Sequence, residues 1–516
     1  MRTSRSGPFV VLGWALCVGC GGGGGGGGGG PAPISAPAWA SYGRNAQHSA
    51  LSDATAQDLV AIHWSRPVDL APQYWSGVLF IHYGSPVITA ANTVIFPVKT
   101  GAAGGFRFDA VAGATGADVW TLPTDYLLPP HNWVPSITGC LTTNRRLYIP
   151  AVGGTLLVRD DADAAVSPTT RIAFFGDAVY TGTPAAFDGT VYINTPLTTD
   201  APGNVYFGVQ ATGANPALVV SSLVKITPEG VATVVPIATY AADATKVAHN
   251  CAPALSLDES TLYVTVNASD GTGGSAGDLV AVRSSDLGLI AKVRLKDPKS
   301  GNDALVTDDG TSSPTVGPDG DVFIGALETP LGSNNYRGWL LHFDAALTAT
   351  KLAAAFGWDD TASIVPASMV PSYPGPSSYL LMIKYNNYAG AGSGNGVNKL
   401  AVVDPSTSAV EPVSGFPAMK EILSVAGPTP DADHLPTFPN AVREWCVNTA
   451  VVCPATKSIL CNNEDGVCYR WNLVTNALDQ VRPLQPPTGE AYTPTVIGPD
   501  GTVYAVNNAV LHAIGR

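Results

Sequence analysis

TPTVIGPDGTVYAV, running from Thr493 to Val506, decides the fold. It begins with a small residue and Pro, continues through a short apolar run and a turn of Gly, Pro and Asp, and ends in a second apolar run carrying an aromatic. β-Branched and aromatic residues fit a pleated, half-buried surface, and Gly and Asp supply the turn, so the stretch reads as strand, turn and strand. The phrase returns as SPVITAANTVIF from Ser85, TPAAFDGTVYI from Thr183, APALSLDESTLYV from Ala252 and SPTVGPDGDVFI from Ser313. Its period fixes the architecture.

Counted by their prolines, the units start at Pro86, Pro135, Pro184, Pro253, Pro314, Pro371 and Pro494. The intervals are about 50 to 70 residues with one double gap. Inside that gap Asn448 to Val452 supplies a degenerate start near Ala450, which makes eight units. Each holds about four short strands, seen in unit 2 as residues 133–139, 146–150, 155–160 and 171–175. This predicts an all-β, eight-bladed β-propeller of four-stranded antiparallel blades. The last unit, 493–516, has room for three strands, and residues 59–64 are expected to supply the fourth. Pairing of the N- and C-terminal strands then closes the ring and leaves no gap between first and last blades.

Composition agrees with one large repetitive unit. The 516 residues are 45% apolar and only 13% charged, which marks a globular chain rather than a disordered one. Gly 56 and Pro 42 are spread as punctuation between runs of Val, Ile, Thr and Tyr, and no long stretch has helical periodicity.

Residues 1–19 read as an export signal: Arg2 and Arg5 precede an apolar core from Phe9 to Val18, too short to span a bilayer. Leu16-Cys17-Val18-Gly19-Cys20 resembles a bacterial lipobox, with Cys17 where Leu is usual; cleavage before Cys20, or before Cys17, is open, and Cys20 is the expected lipidation site. Residues 20–36 then form a Gly- and Pro-rich tether, and 37–516 the propeller. The expected protein is exported and held in the bacterial cell envelope by its lipid, periplasmic or surface-facing. The formal charge of −13 becomes about −15 once the two arginines of residues 1–19 are removed, which argues against a nucleic-acid partner.

Gly113-Ala114-Thr115-Gly116-Ala117-Asp118-Val119-Trp120, after Phe106-Arg107-Phe108-Asp109, resembles the repeat of the pyrroloquinoline-quinone-type (PQQ-like) β-propellers, and Trp39 to His48 is similar to their lead-in. The resemblance covers roughly 37–516. It implies a superfamily that contains both quinoprotein dehydrogenases and a non-catalytic envelope lipoprotein. The dehydrogenases carry a disulfide between adjacent cysteines, and this chain has no Cys-Cys pair. A calcium-ligating set cannot be mapped by motif, so PQQ is not the expected cofactor.

Cys446, Cys453, Cys461 and Cys468 crowd into one unit, and in an exported chain they are candidates for disulfides. Cys461 and Cys468 flank a turn and form the first candidate pair, Cys446 and Cys453 the second; a zinc site and free thiols are the alternatives. Four residues before the anchor prolines stand His82, His131, His249 and Glu490. Equivalent positions lie at one level around the axis, so His82, His131 and Glu490 are candidate ligands for a divalent metal at the channel mouth. The plainer alternative gives each a local hydrogen bond at the start of its strand. Residues 267–278 read as a polar hairpin loop and 390–396 as a glycine loop without the helix a phosphate site needs. Tyr385 to Tyr388 and Trp358 to Asp360 are read as blade core or as a sugar- or peptide-binding surface. The expected function is non-enzymatic, a binding scaffold for an envelope protein or an extracellular ligand. A metal- or quinone-dependent enzyme with its site at the channel mouth is the alternative.

Overall fold

Ile497 faces Val503 across the turn of the deciding phrase, as Ile88 faces Val94, Leu255 faces Leu262 and Val316 faces Val322. The computed structural model describes residues 37–75, 78–79, 83–130, 137–268, 274–308, 312–486 and 494–516. Within them these hairpins are the inner halves of eight antiparallel blades set in a ring. The last residue of each tight turn is left-handed, with φ of 88° at Gly320 and 85° at Gly501. Glycine takes that conformation without a Cβ penalty, which explains the Gly-Pro-Asp-Gly of the strongest copies.

Blade 1 runs Val87–Ile88, Thr93–Gly101, Gly104–Ala112 and Asp118–Thr124 from the axis outward. Blade 2 runs from Cys140–Leu141 to Thr169–Ile172. In blades 3 and 4 two short segments share the innermost place, Val191–Ile193 with Thr198–Thr199 and Lys246–Val247 with Ala254–Leu255. Blade 5 holds three strands, Thr315–Val316, Val322–Ala326 and Trp339–Phe343, and its fourth place is marked by bridges from Leu340 to Ala354 and Phe343 to Thr350. Blades 6 and 7 begin at Ser363–Pro366 and Val451–Cys453. Second strands such as Tyr379–Tyr385 are buried at every residue because a blade lies on each side, whereas the outermost Ala477–Pro483 alternates between exposed and half-buried. The cores are the apolar contacts between neighbouring blades, which is why Cys468 of blade 7 packs with Val503 of blade 8.

Blade 8 is built from both ends of the chain. Val496–Ile497, Val503–Asn507 and Val510–Gly515 are completed by Ala61–Pro67, whose register runs from Ala61 opposite Gly515 to Pro67 opposite Val510. The closing strand lies slightly later than the expected 59–64, although the Val60 N–H still donates to the Gly515 carbonyl at 3.2 Å.

Three of the expected unit starts are displaced; in blade 2 Leu141 is level with Ile88, which places the start at Gly139 rather than Pro135. Pro184 caps a short helix, Ala185–Asp188, that follows another at Asp177–Gly182. The phrase that forms blade 3 is Pro196-Leu197-Thr198-Thr199-Asp200-Ala201-Pro202-Gly203, and the Thr183 copy imitates it in letters only. Pro371 lies between the first and second strands of blade 6, whose inner strand comes earlier and lacks proline at its start.

The hydroxyls beside the anchors explain why the phrase keeps Ser or Thr there. The Thr138, Ser313 and Thr361 hydroxyls accept the N–H of Ser85, Ala252 and Ser313 from the preceding blade, at 3.1, 2.9 and 2.9 Å. Thr198 and Ser363 donate to the carbonyls of Pro253 and Ala450 of the following blade, both at 2.6 Å. The repeat therefore encodes contacts between blades as well as within them.

Candidate functional site

Residues 38–57 close one end of the channel. The carbonyls of Trp39, Ala40, Ala46, Gln47, Ser49 and Ala50 accept the N–H of Ile88, Leu141, Leu255, Val316, Ile364 and Val452, each the same position on the inner strand of a different blade. The segment, a strap, thus bonds to blades 1, 2, 4, 5, 6 and 7 in turn and reaches blade 8 through Gln57 N–H to Gly501 carbonyl at 2.8 Å. Its residues Trp39, Ser41, His48 and Ala50 are fully buried. From the strap the Tyr42 side chain reaches blades 6 and 7, with its hydroxyl 2.7 Å from Thr361 Oγ1 and bonded to Asn448 Oδ1. Burial raises the Tyr42 phenol above its usual range, so it serves as a neutral hydrogen-bonding group.

At the other ends of the inner strands the chain buries charge. Lys384, the one cation in the apolar second strand of blade 6, places Nζ 2.7 Å from Asp359 Oδ2, and its backbone N–H donates to Asp360 at 2.9 Å. Asp360, shut from water without a cation of its own, is raised well above the carboxylate range by burial. In blade 4 Lys246 Nζ lies 2.8 Å from both Asp308 oxygens and 2.7 Å from Asn267. Burial works against the Asp308 charge, but His249 and Lys246 outweigh it and lower the pKa. In blade 1 Lys99 pairs with Asp69 at 3.2 Å, and Tyr83 donates to the same carboxylate. These three Lys–Asp pairs have side chains no more than 1% exposed.

Blade 7 adds two more acids. Glu464 Oε1 accepts the Glu444 N–H at 2.8 Å, and Cys446 Sγ lies 3.7 Å from Glu464 Oε2. Burial, and then the charge of Glu464, push Glu444 up to about 8, and burial pushes Glu464 up to about 7. This end of the channel is therefore able to hold protons on carboxyls near neutral pH.

His82, His131 and Glu490, the candidate metal ligands, lie outside the described residues. His249 is buried, and its backbone N–H points to Asp308 at 3.4 Å. Among the described residues no three His, Cys, Asp or Glu side chains are grouped as a metal site requires.

The cysteine pairs do not form bridges. Among the described residues Cys446, Cys453, Cys461 and Cys468 form no disulfide, and all four are buried. Cys461 is opposite Tyr469 while Cys468 is opposite Asn462, so the two thiols point to opposite faces of the sheet and into different cores. Burial pushes the Cys251 thiol up to about 11 and Cys468 up to about 12, far from a reactive thiolate.

The other motifs are structural in their described parts. Asn267 and Asp278 are engaged by Lys246 and Arg294. The glycine loop is a set of turns, Gly390 N–H to Gly394 carbonyl and Gly396 N–H to Asn387 carbonyl. Tyr385 is buried between Arg337 and Lys399, 5.3 and 5.0 Å from its ring, and so belongs to the blade interior. Sequence reasoning passed over Tyr42, Lys246, Lys384, Glu444 and Glu464. The available signal was Lys384 in the apolar run YLLMIKY, where a cation needs a buried partner.

No protein-family model and no curated protein matches this chain. Among solved structures it is similar to a europium-containing methanol dehydrogenase, at 10% identity over 90% of this chain and 88% of that one, with a TM-score of 0.55. BamB from Moraxella catarrhalis is 11% identical over 88% and 97% of the two chains, with a TM-score of 0.47. A quinohemoprotein alcohol dehydrogenase from Pseudomonas putida is 13% identical over 93% and 76%, at 0.48. At such identities the shared property is the architecture, and by it this chain is an eight-bladed propeller.

Proposed function

We propose that this protein is an exported, non-enzymatic binding scaffold, tethered by a lipid on Cys20, that engages an envelope protein or extracellular ligand with the channel end facing away from the strap. The observation that carries the reading is the strap itself. Residues 38–57 occupy one end of the channel, and Tyr42 reaches from them to Thr361 and Asn448. A chain that spends its own backbone sealing the axis leaves the outer surface of the opposite end as the place for a partner. Pro37, where the described residues begin, lies on the strap side. Three fully buried ion pairs hold the blades at the opposite end in one arrangement, as a rigid recognition surface requires.

Photo-crosslinking from single sites tests this. Asp243 and Asp433 lie on the far side with side chains 63% and 75% exposed, and Asp53 and Asp286 on the strap side with 86% and 58%. Probes at the first two are expected to capture a discrete envelope partner and probes at the last two are not. A purified chain that carries stoichiometric metal or a quinone absorption band would overturn the non-enzymatic reading. Retention of Cys20→Ala in the membrane fraction would overturn the tether.

A further inference from the structure

Blade 4 brings an amine, a carboxamide and a carboxylate together out of contact with water. Lys246 lies directly opposite Asn267 across the inner strand pair of the blade, so the two side chains leave the sheet on the same face. Lys246 Nζ donates to Asn267 Oδ1 at 2.7 Å and to both oxygens of Asp308 at 2.8 Å. Asn267 Nδ2 donates to Asp308 Oδ1 at 3.1 Å and to the Val306 carbonyl at 3.2 Å, and the His249 N–H points to Asp308 Oδ1 at 3.4 Å. Lys246, Asn267 and Asp308 are each no more than 1% exposed. One carboxylate therefore touches both the amine and the amide nitrogen, while the amide carbonyl is held against the amine.

From this we propose that Lys246 and Asn267 join in an intramolecular isopeptide bond, formed by the folded chain itself with Asp308 as the catalytic acid and base. Asp308, whose pKa is lowered, starts ionised and is the base within reach of the Lys246 ammonium. Charges shut away from water lose the solvation that favours them, so a proton passes from Nζ to Asp308 and leaves a neutral, nucleophilic amine. The Nζ lone pair bonds to Asn267 Cγ. Asp308 then gives its proton to Nδ2, takes a second from Nζ as the Cγ–Nδ2 bond breaks, and ends protonated. Ammonia leaves, a secondary amide remains, and no oxidant or cofactor is consumed. Fixed proximity supplies the rate that the same groups lack in water. The bond replaces the Lys246–Asp308 ion pair by neutral groups and keeps the far end rigid. Lys246–Val247 is otherwise held to the second strand by two residue pairs, Lys246 with Asn267 and Val247 with Val266, so a covalent link at the first fastens the rim of blade 4.

Tryptic mapping of the purified, denatured full chain tests it. Cleavage after Lys225, Lys246 and Arg283 ordinarily separates residues 226–246 from 247–283. An acylated Lys246 resists trypsin, so residues 226–283 are expected to leave as one peptide, lighter than its sequence requires by the mass of ammonia, about 17 Da. Tandem fragmentation is expected to place the link between 246 and 267. Lys246→Arg restores cleavage and the full mass, which separates the link from a succinimide at Asn267, since that also loses ammonia but leaves residue 246 open to trypsin. Asp308→Asn keeps the shape of the acid and is expected to lower the linked fraction about tenfold or more. Complete cleavage after Lys246 in the natural sequence would overturn the bond. A link from Lys246 to Asp308 with loss of water would overturn the choice of Asn267, and undiminished linkage in Asp308→Asn would overturn the part given to Asp308.

Discussion

The two ends of the channel are held by different chemistry. At the strap end six inner strands are capped by backbone hydrogen bonds from one continuous segment, and the side chains there are mainly small. At the far end Lys99, Lys246 and Lys384 pair with buried aspartates contributed by loops that lead into or away from the ring. Backbone bonds tolerate substitution because any residue supplies a carbonyl. Buried ion pairs do not, because removal of one partner leaves a charge without water. Mutational sensitivity is therefore expected to be concentrated at the far end, and the strap end is expected to depend on continuity of the chain.

Deletion of Ala61–Pro67 has the largest effect. It removes the strand that joins the chain's ends, exposes the Val510–Gly515 edge and severs the strap from the ring it caps. The remaining chain is expected to lose its cooperative thermal transition and to associate through the new edge. A deletion variant that stays monomeric by gel filtration and melts where the full chain melts would show that the strap alone closes the molecule.

Lys384→Met comes next. It leaves Asp359 buried and unpaired, beside an Asp360 already raised by burial, and is expected to cost about 3 to 5 kcal/mol in a urea titration. Lys399→Met, whose pair with Glu421 is partly solvated, is expected to cost less than about 1 kcal/mol. Pairing Lys384→Met with Asp359→Leu recovers much of the loss, since an apolar pair replaces the ion pair. Equal costs for Lys384 and Lys399 would erase the contrast between buried and exposed pairs.

A smaller effect appears with pH. Glu444 and Glu464 have their pKa raised from 4.5 to about 8 and about 7, so the folded state holds protons that the unfolded state has released. Their contribution to stability is fully present below about pH 4.5 and declines as pH rises toward 8, with a slope below about 1.4 kcal/mol per pH unit for each proton. Glu444→Gln is expected to flatten the decline in melting temperature between about pH 5 and pH 8. A profile of unchanged slope would mean that these carboxyls are ionised in the folded protein.

The contrast also marks what the sequence made legible. The eight blades and the pairing of the two ends followed from the phrase and its period, because strand, turn and Pro anchor are local signals. The false start at Pro184 arose because Thr-Pro followed by Asp-Gly also describes a capped helix and its exit; only the contacts of Thr198 and Thr199 with blade 3 separate the two. The strap was visible as a lead-in but not as a cap, since its bonds join Trp39 to residue 88 and Ala50 to residue 452 and carry no side-chain signature. The ion pairs join residues far apart in sequence, Lys246 with Asp308 and Lys99 with Asp69, so only the lone cations inside apolar runs gave notice of them. The disulfide expectation failed because residues seven apart across a short hairpin need not share a face, and a register in which Cys468 meets Asn462 separates the thiols.

The smallest effect isolates the strap from the turn beneath it. Gly320 and Gly501 occupy the same turn position in blades 5 and 8 with nearly the same φ, 88° and 85°. A methyl group at 320 meets only the Ala345 side chain at 3.6 Å, so Gly320→Ala bears the left-handed backbone cost alone, about 1 kcal/mol. At 501 the same methyl would lie against the Thr55 carbonyl, and the Gly501 carbonyl is the acceptor through which Gln57 fastens the strap to blade 8. Gly501→Ala must therefore displace residues 55–57 as well, and its urea midpoint is expected to fall further than that of Gly320→Ala. It is also expected to speed amide exchange at Gln57 while leaving Val316, capped by the strap in blade 5, protected. Identical midpoints for the two variants would mean that the strap yields freely at its last contact, and that its hold on the ring ends at Val452.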